Sequence, residues 1–112
     1  MSLGTLNRHL ILEESARVSD GAGGYTDAWL AVGDLWACVS ASSSRETLGG
    51  EVAVSSVPYK IKIRSAPVGS PQRPRADQRF RERTRIFRIL GVADADGEQR
   101  YLICHCVEEV AG

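Results

Sequence analysis

Apolar and polar residues alternate with a period of two through most of this 112-residue chain, and that period confines it to extended structure. An extended backbone sends successive side chains to opposite faces. In Leu6–Glu14, the residues Leu6, Arg8, Leu10 and Leu12 fall on one face, and Asn7, His9, Ile11 and Glu13 on the other. Tyr25–Leu30 reads as a second strand, with Tyr25, Asp27 and Trp29 on one side. Gly33-Asp34 breaks it, and Leu35–Ala41 follows as a third, with Leu35, Ala37, Val39 and Ala41 opposite Trp36, Cys38 and Ser40. The clearest strand is Val57–Arg64, where Val57, Tyr59, Ile61 and Ile63 oppose Pro58, Lys60, Lys62 and Arg64. Gln78–Glu82 and Thr84–Ala93 read as a hairpin around Arg83, and Gln99–Val110 is the last strand. About seven short strands joined mostly by hairpins predict an all-β fold, a small antiparallel β-barrel, because closure removes exposed strand edges.

The segments between strands carry turn chemistry. Ser19–Gly24 places Asp20, Gly21, Gly23 and Gly24 together, and glycine accepts a positive φ at little cost. A phosphate-cradling loop would need a helix to follow the glycines. The alternating YTDAWL that follows predicts a strand instead, so this stretch reads as a hairpin turn that brings Trp29 and Trp36 into the core. The long loop Ser42–Ser56, between the third and fourth strands, has room for one or two helical turns at most, because Gly49-Gly50 closely follows the capping-box pair Ser43 and Glu46. Loops of that length in small domains are usually functional or disordered.

A chain of this length makes one domain, here residues 1–112. No apolar run reaches the roughly 20 residues that span a bilayer, and the start of the chain lacks a signal-peptide pattern. We therefore expect no membrane association and synthesis in the cytoplasm. Cys38, Cys104 and Cys106 make an odd count in a chain with 43% hydrophobic residues, which suits reduced, mostly buried thiols better than a disulfide scaffold. The net charge is zero but uneven: Lys60–Arg88 holds ten Lys and Arg against Asp77 and Glu82, a local +8 balanced by −8 elsewhere. Two opposite lobes fit a protein that orients copies of itself or a partner, and fit a general nucleic-acid binder poorly.

Candidate chemistry is sparse. On a strand, Cys104 and Cys106 share a side that His105 does not, and the two paired knuckles of a zinc site are missing. We expect no metal, no cofactor and no enzymatic activity. The carboxylate pairs Glu13-Glu14, Asp94-Asp96 and Glu108-Glu109 sit at strand ends and turns, where acids are normally solvated. The arginines are the densest feature: Arg79, Arg81, Arg83, Arg85 and Arg88, with the first four able to share one face of an extended strand. Protein contact ranks first for them, with Asp94, Asp96, Glu108 and Glu109 as acidic counterparts at a subunit interface. An edge-protecting charged face ranks second. An OB-like barrel that tracks single-stranded nucleic acid along Arg79–Arg88 ranks third, since only Phe80 and Phe87 interleave as stacking aromatics.

The order of motifs resembles the head–tail joining proteins of tailed phages and phage-like gene transfer agents, also called head-closure or stopper proteins. The resemblance rests on the Asp20-Gly21-x-Gly23-Gly24 turn, on Trp29, and on Trp36 leading Ala37 and Val39. It continues through Ser44, Arg45 and Glu46, the YKIKIR strand Tyr59–Arg64, the RIFxI strand with Arg85, Ile86, Phe87 and Ile89, and the closing YLICHCVE. The chain departs from that pattern at Arg81–Thr84, where the family usually has a brief glycine turn. The resemblance implies a virion protein made in the bacterial cytoplasm. Its copies would form a homo-oligomeric ring, sixfold or twelvefold, at the head–tail interface. A portal or adaptor protein would lie above, a tail terminator or tail tube protein below, and packaged double-stranded DNA in the channel. The ring would join head to tail and close the DNA exit channel. Ser43, Ser44, Arg45, Glu46, Thr47, Leu48, Gly49, Gly50 and Glu51 would form the channel or assembly loop. Ile61, Ile63, Phe87 and the two tryptophans would form the core.

Overall fold

The structure, a computed structural model, describes residues 6–42, 57–67, 69–95 and 100–109. Among them there are six strands and no helix: β1 (Arg8–Ser19), β2 (Tyr25–Ala41), β3 (Val57–Arg64), β4 (Arg79–Glu82), β5 (Arg85–Asp94) and β6 (Tyr101–Glu109). Every pairing is antiparallel, and the ring closes in the order β1-β2-β3-β6-β5-β4. The expected barrel is therefore present, with six strands in place of seven.

The difference comes from Gly33-Asp34, which does not end a strand. β2 runs unbroken for 17 residues, and its pairing with β1 shifts register between Leu12 and Glu13. Leu12 faces Gly33 and Glu13 faces Ala31, so Val32 is an extra, bulged residue. A bulge reverses the in–out alternation of the strand beyond it. Residues Gly33, Leu35 and Ala37 share the face of buried Leu10 and Leu12, whereas Ala31, Trp29, Asp27 and Tyr25 share the opposite face with Glu13.

That reversal corrects the placement of both tryptophans. Trp36 alternates with buried Ala37 and points outward; Trp29, seven residues earlier, is turned outward too by the bulge. They are 57% and 37% exposed, so neither is a core residue. The interior is built from Leu10, Leu12, Ala37, Ile61, Ile63, Phe80, Phe87, Ile89, Leu102, Cys104 and Cys106. Tyr59 packs edge-on against Phe87, with ring centroids 5.3 Å apart.

The first hairpin extends beyond the barrel. β1 meets β4 only over Ile11–Glu13, and β2 meets β3 only over Ala37–Ala41. Beyond Glu13, and among the described residues, Glu14–Ser19 and Tyr25–Leu30 pair only with each other, as a two-stranded arm, and the Cα envelope measures 54 × 33 × 25 Å. The glycine stretch is the arm's tip. Gly21 and Gly23 have φ of 77° and 85°. Asp20 Oδ1 accepts hydrogen bonds from the backbone N–H of Ala22 (2.7 Å) and Gly24 (3.0 Å), and the Asp20 N–H donates to the Gly24 carbonyl (3.1 Å). No helix follows the glycines; Tyr25 opens a strand.

The core assignment has a direct test. Phe87→Ala should cost about 3–5 kcal/mol, as for other buried aromatics, whereas Trp36→Ala should cost less than about 1 kcal/mol, as for surface positions. Urea unfolding of the two variants measures both.

Candidate functional site

Two ion-paired clusters organise the barrel surface, and each follows from strand parity. β4 and β5 join through Arg83-Thr84, with Glu82 paired to Arg85 and Phe80 to Phe87. In such a two-residue hairpin, even positions on one strand share a face with odd positions on the other. Arg79 and Arg81 therefore lie outside while Arg85 shares the inward face of Phe87. The expectation that Arg79, Arg81, Arg83 and Arg85 share one face fails for this reason. Arg83 sits in the turn itself, with φ 56°.

The first cluster closes the mouth of the barrel nearest the β4–β5 turn. The Arg8 guanidinium donates to both carboxylate oxygens of Glu82, Nε to Oε2 at 2.6 Å and Nη2 to Oε1. Arg85 Nε donates to Glu108 Oε2 at 2.7 Å, and its Nη2 donates to Glu108 Oε1 at 3.1 Å and to the Tyr59 hydroxyl at 3.2 Å. Arg85 also reaches Glu82 at 3.9 Å, which links the two pairs into one chain of alternating charge. The hydrogen bond from Arg8 holds the Glu82 carboxyl below its ordinary range despite partial burial. The bond from Arg85 does the same for Glu108.

The second cluster lies on the outer wall, where β1 meets β4. Glu13, read from sequence as a solvated strand-end acid, is only 5% exposed. Arg79 Nε donates to its Oε1 at 2.7 Å and Arg81 Nε to its Oε2 at 2.9 Å. Trp29 flanks the pair, with the Arg79 guanidinium 4.1 Å from the ring centroid, a cation–π geometry. Burial pushes the Glu13 carboxyl upward, but the two arginine hydrogen bonds outweigh it and the balance is downward. Beside this cluster, Glu14 Oε1 accepts from Gln78 Nε2 (3.4 Å) and faces Arg75 (3.3 Å).

The remaining candidates fall in several places. Arg88 stands outside, paired in register with Arg79 and 3.9 Å from Asp77. Asp94 is at the far end of β5 from Glu108 and Glu109, so the acidic set does not form one surface. Ile61, Ile63 and Phe87 lie inside the barrel. Ser43–Glu51 and Asp96 lie outside the described residues. Cys104 and Cys106 are buried free thiols; burial pushes Cys104 up to about 12 and Cys106 well above the usual thiol value. Among the described residues, no three His, Cys, Asp or Glu side chains are grouped to hold a metal ion. On the outer wall, His9 Nε2 lies 2.8 Å from Asp34 Oδ2, and its ring lies 5.1 Å from that of Trp36. A cleft of about 490 Å³ opens where β2 parts from β3, with Leu12, Leu35 and Ile63 on its floor and Arg64 and Gln72 at its rim.

These features define a small closed β-barrel with a projecting arm, many of whose charged groups are paired with one another. The chain belongs to the phage head completion proteins, structural components of phage particles: that family's model matches residues 1–109. A chain from the virion of a native gene transfer agent particle is 54% identical, with a TM-score of 0.75 over 95% of this chain and 96% of that one. A protein of Shigella flexneri 2a, solved in solution, is 25% identical with a TM-score of 0.72 over the full length of both chains. No curated protein matches.

Replacing Glu13 by Gln leaves one acceptor oxygen for two arginine donors and removes the negative charge, and should cost about 1.5–3 kcal/mol in urea unfolding. The same pairs set the acid limb of stability. Glu13, Glu82 and Glu108 all have folded-state values depressed below the ordinary glutamate value. Their contribution is complete above about 4.3, the unperturbed value, and is lost as the pH falls through the depressed folded values. Thermal melts should be flat from neutral pH down to that point and fall steeply below it. At neutral pH a thiol reagent should label half-buried Cys38 in the folded protein, and all three cysteines only after unfolding.

Proposed function

We propose that this protein is a structural part of the joint between head and tail in a phage-like particle. Its copies form a ring between the portal or adaptor and the tail and close the DNA exit channel. The observation that carries the reading is the 54% identity, over almost the whole of both chains, to a chain of the native gene transfer agent virion. The geometry supports it. The barrel has two unlike ends. Ser42 and Val57, which flank the long loop, lie at the same end as the Arg83-Thr84 turn, Leu6 and Glu109, and the arm projects from the opposite end. A subunit with two unlike ends can meet two different neighbours along one axis.

In this reading residues 1–112 act as one connector domain, and residues 42–56 act as the assembly loop. Of the candidate interface charges, Arg83 in the β4–β5 turn, Asp94 and Glu109 are exposed and contribute to none of the ion pairs described above. The nucleic-acid reading has less support, because Arg79, Arg81 and Arg85 already bond to Glu13 and Glu108.

Two experiments test the proposal. Cells lacking the gene should accumulate DNA-filled heads and free tails that fail to join, and the wild-type gene should restore joining. A chain lacking Ser43–Ser55 should keep the β-rich circular dichroism of the barrel and fail to restore it. Normal joined particles from the deleted strain would refute the reading.

A further inference from the structure

We propose that the β1–β2 arm is the ring-forming element, pairing edge to edge with the arm of the next copy. This rests on the ring reading above and adds the contact that closes the ring. Among the described residues, Ser15–Ser19 of β1 and Tyr25–Leu30 of β2 pair only with each other, so each strand leaves one row of backbone N–H and C=O groups at a free edge. Such edges attract a further strand unless they are blunted. These carry no proline and no lysine. Val18, Tyr25 and Leu30 are 42%, 66% and 50% exposed.

The occupant is a second copy because the two edges suit each other. They run in opposite directions, so the β1 edge of one copy and the β2 edge of the next meet antiparallel when a rotation axis lies along the arms. That is the ladder used throughout the barrel, and it joins two different surfaces, as a closed ring requires. Rotation about such an axis keeps every residue at its own height. Arg17 and Asp27 are register partners on one face, so Arg17 of one copy comes beside Asp27 of the next, and charge alternates around the ring. By the same rule Ala16 meets Ala28, and Val18 meets Thr26. These are small or β-branched residues that pack well across strands.

The test uses assembled particles. Two chains, Arg17→Cys and Asp27→Cys, each also Cys38→Ser, are produced together in cells that assemble the particle. The particles are purified, oxidised and run on a non-reducing gel. The expected result is a mixed dimer containing one chain of each kind, because directly facing residues are within disulfide reach. Dimers of Arg17→Cys or Asp27→Cys alone would show two-fold pairing and overturn the proposal. Particles holding both chains without any mixed dimer would overturn it as well, leaving the head–tail reading intact. Particles that join normally without the protein would remove that reading instead. Hydrogen exchange of the wild-type chain gives a second readout that survives poor incorporation of the variants. Amides of Ser15–Ser19 and Tyr25–Leu30 should exchange about tenfold or more slowly in particles than in the free chain. Unchanged exchange there would also overturn the arm contact.

Discussion

The barrel closes through its narrowest seam. β4 has four residues and meets β1 over three register pairs, against eight pairs between β3 and β6. A seam that short offers few backbone hydrogen bonds, so side chains must hold it. Glu13 does so from β1, accepting from Arg79 and Arg81 of β4, with Trp29 flanking the pair. Burying a carboxylate is costly unless it is paired and hydrogen-bonded, and here both oxygens are engaged. The Arg8–Glu82 pair spans the same seam nearer the β4–β5 turn, so the two ion-paired clusters together tie β4 to β1 over the interior packed around Phe80 and Phe87.

Much of the fold was legible because alternation is a local signal. β3 and β6 fall where Ile61, Ile63, Leu102, Cys104 and Cys106 predict, and Asp20 with its glycines makes the turn their chemistry suggests. The strand count differs from the sequence expectation because a bulge needs only one extra residue. Val32 leaves no gap in the apolar pattern, while Gly33-Asp34 resembles a chain reversal. The same residue explains the tryptophans: without a shift in parity, Trp29 and Trp36 would stand on opposite faces, and neither would be recognised as a surface pair.

The ionic clusters were less legible, for a different reason. The arginine run is obvious in the sequence, but its partners are distant along the chain: Glu13 is 66 residues from Arg79, and Arg8 is 74 from Glu82. Pairings at that range follow from topology, and topology was given only as a class. Once strand order is known, parity alone assigns Arg79 and Arg81 to the wall and Arg85 to the mouth. The charge asymmetry that suggested two free lobes is then seen to be partly neutralised within the chain. With these groups paired inside the chain, the described surface carries a weaker charge separation than the sequence alone suggests.

The bulge at Val32 has a consequence for how such chains can diversify. It isolates the arm from the barrel: everything beyond it keeps its own in–out order, whatever the wall below requires. Residues added at the tip in facing couples, one to each strand, leave every existing couple matched, and each couple lengthens the ribbon by about 3.4 Å. A lone insertion on one strand would turn half of the ribbon over. The arm's reach along its own axis can therefore change in discrete steps, while the barrel below keeps its register.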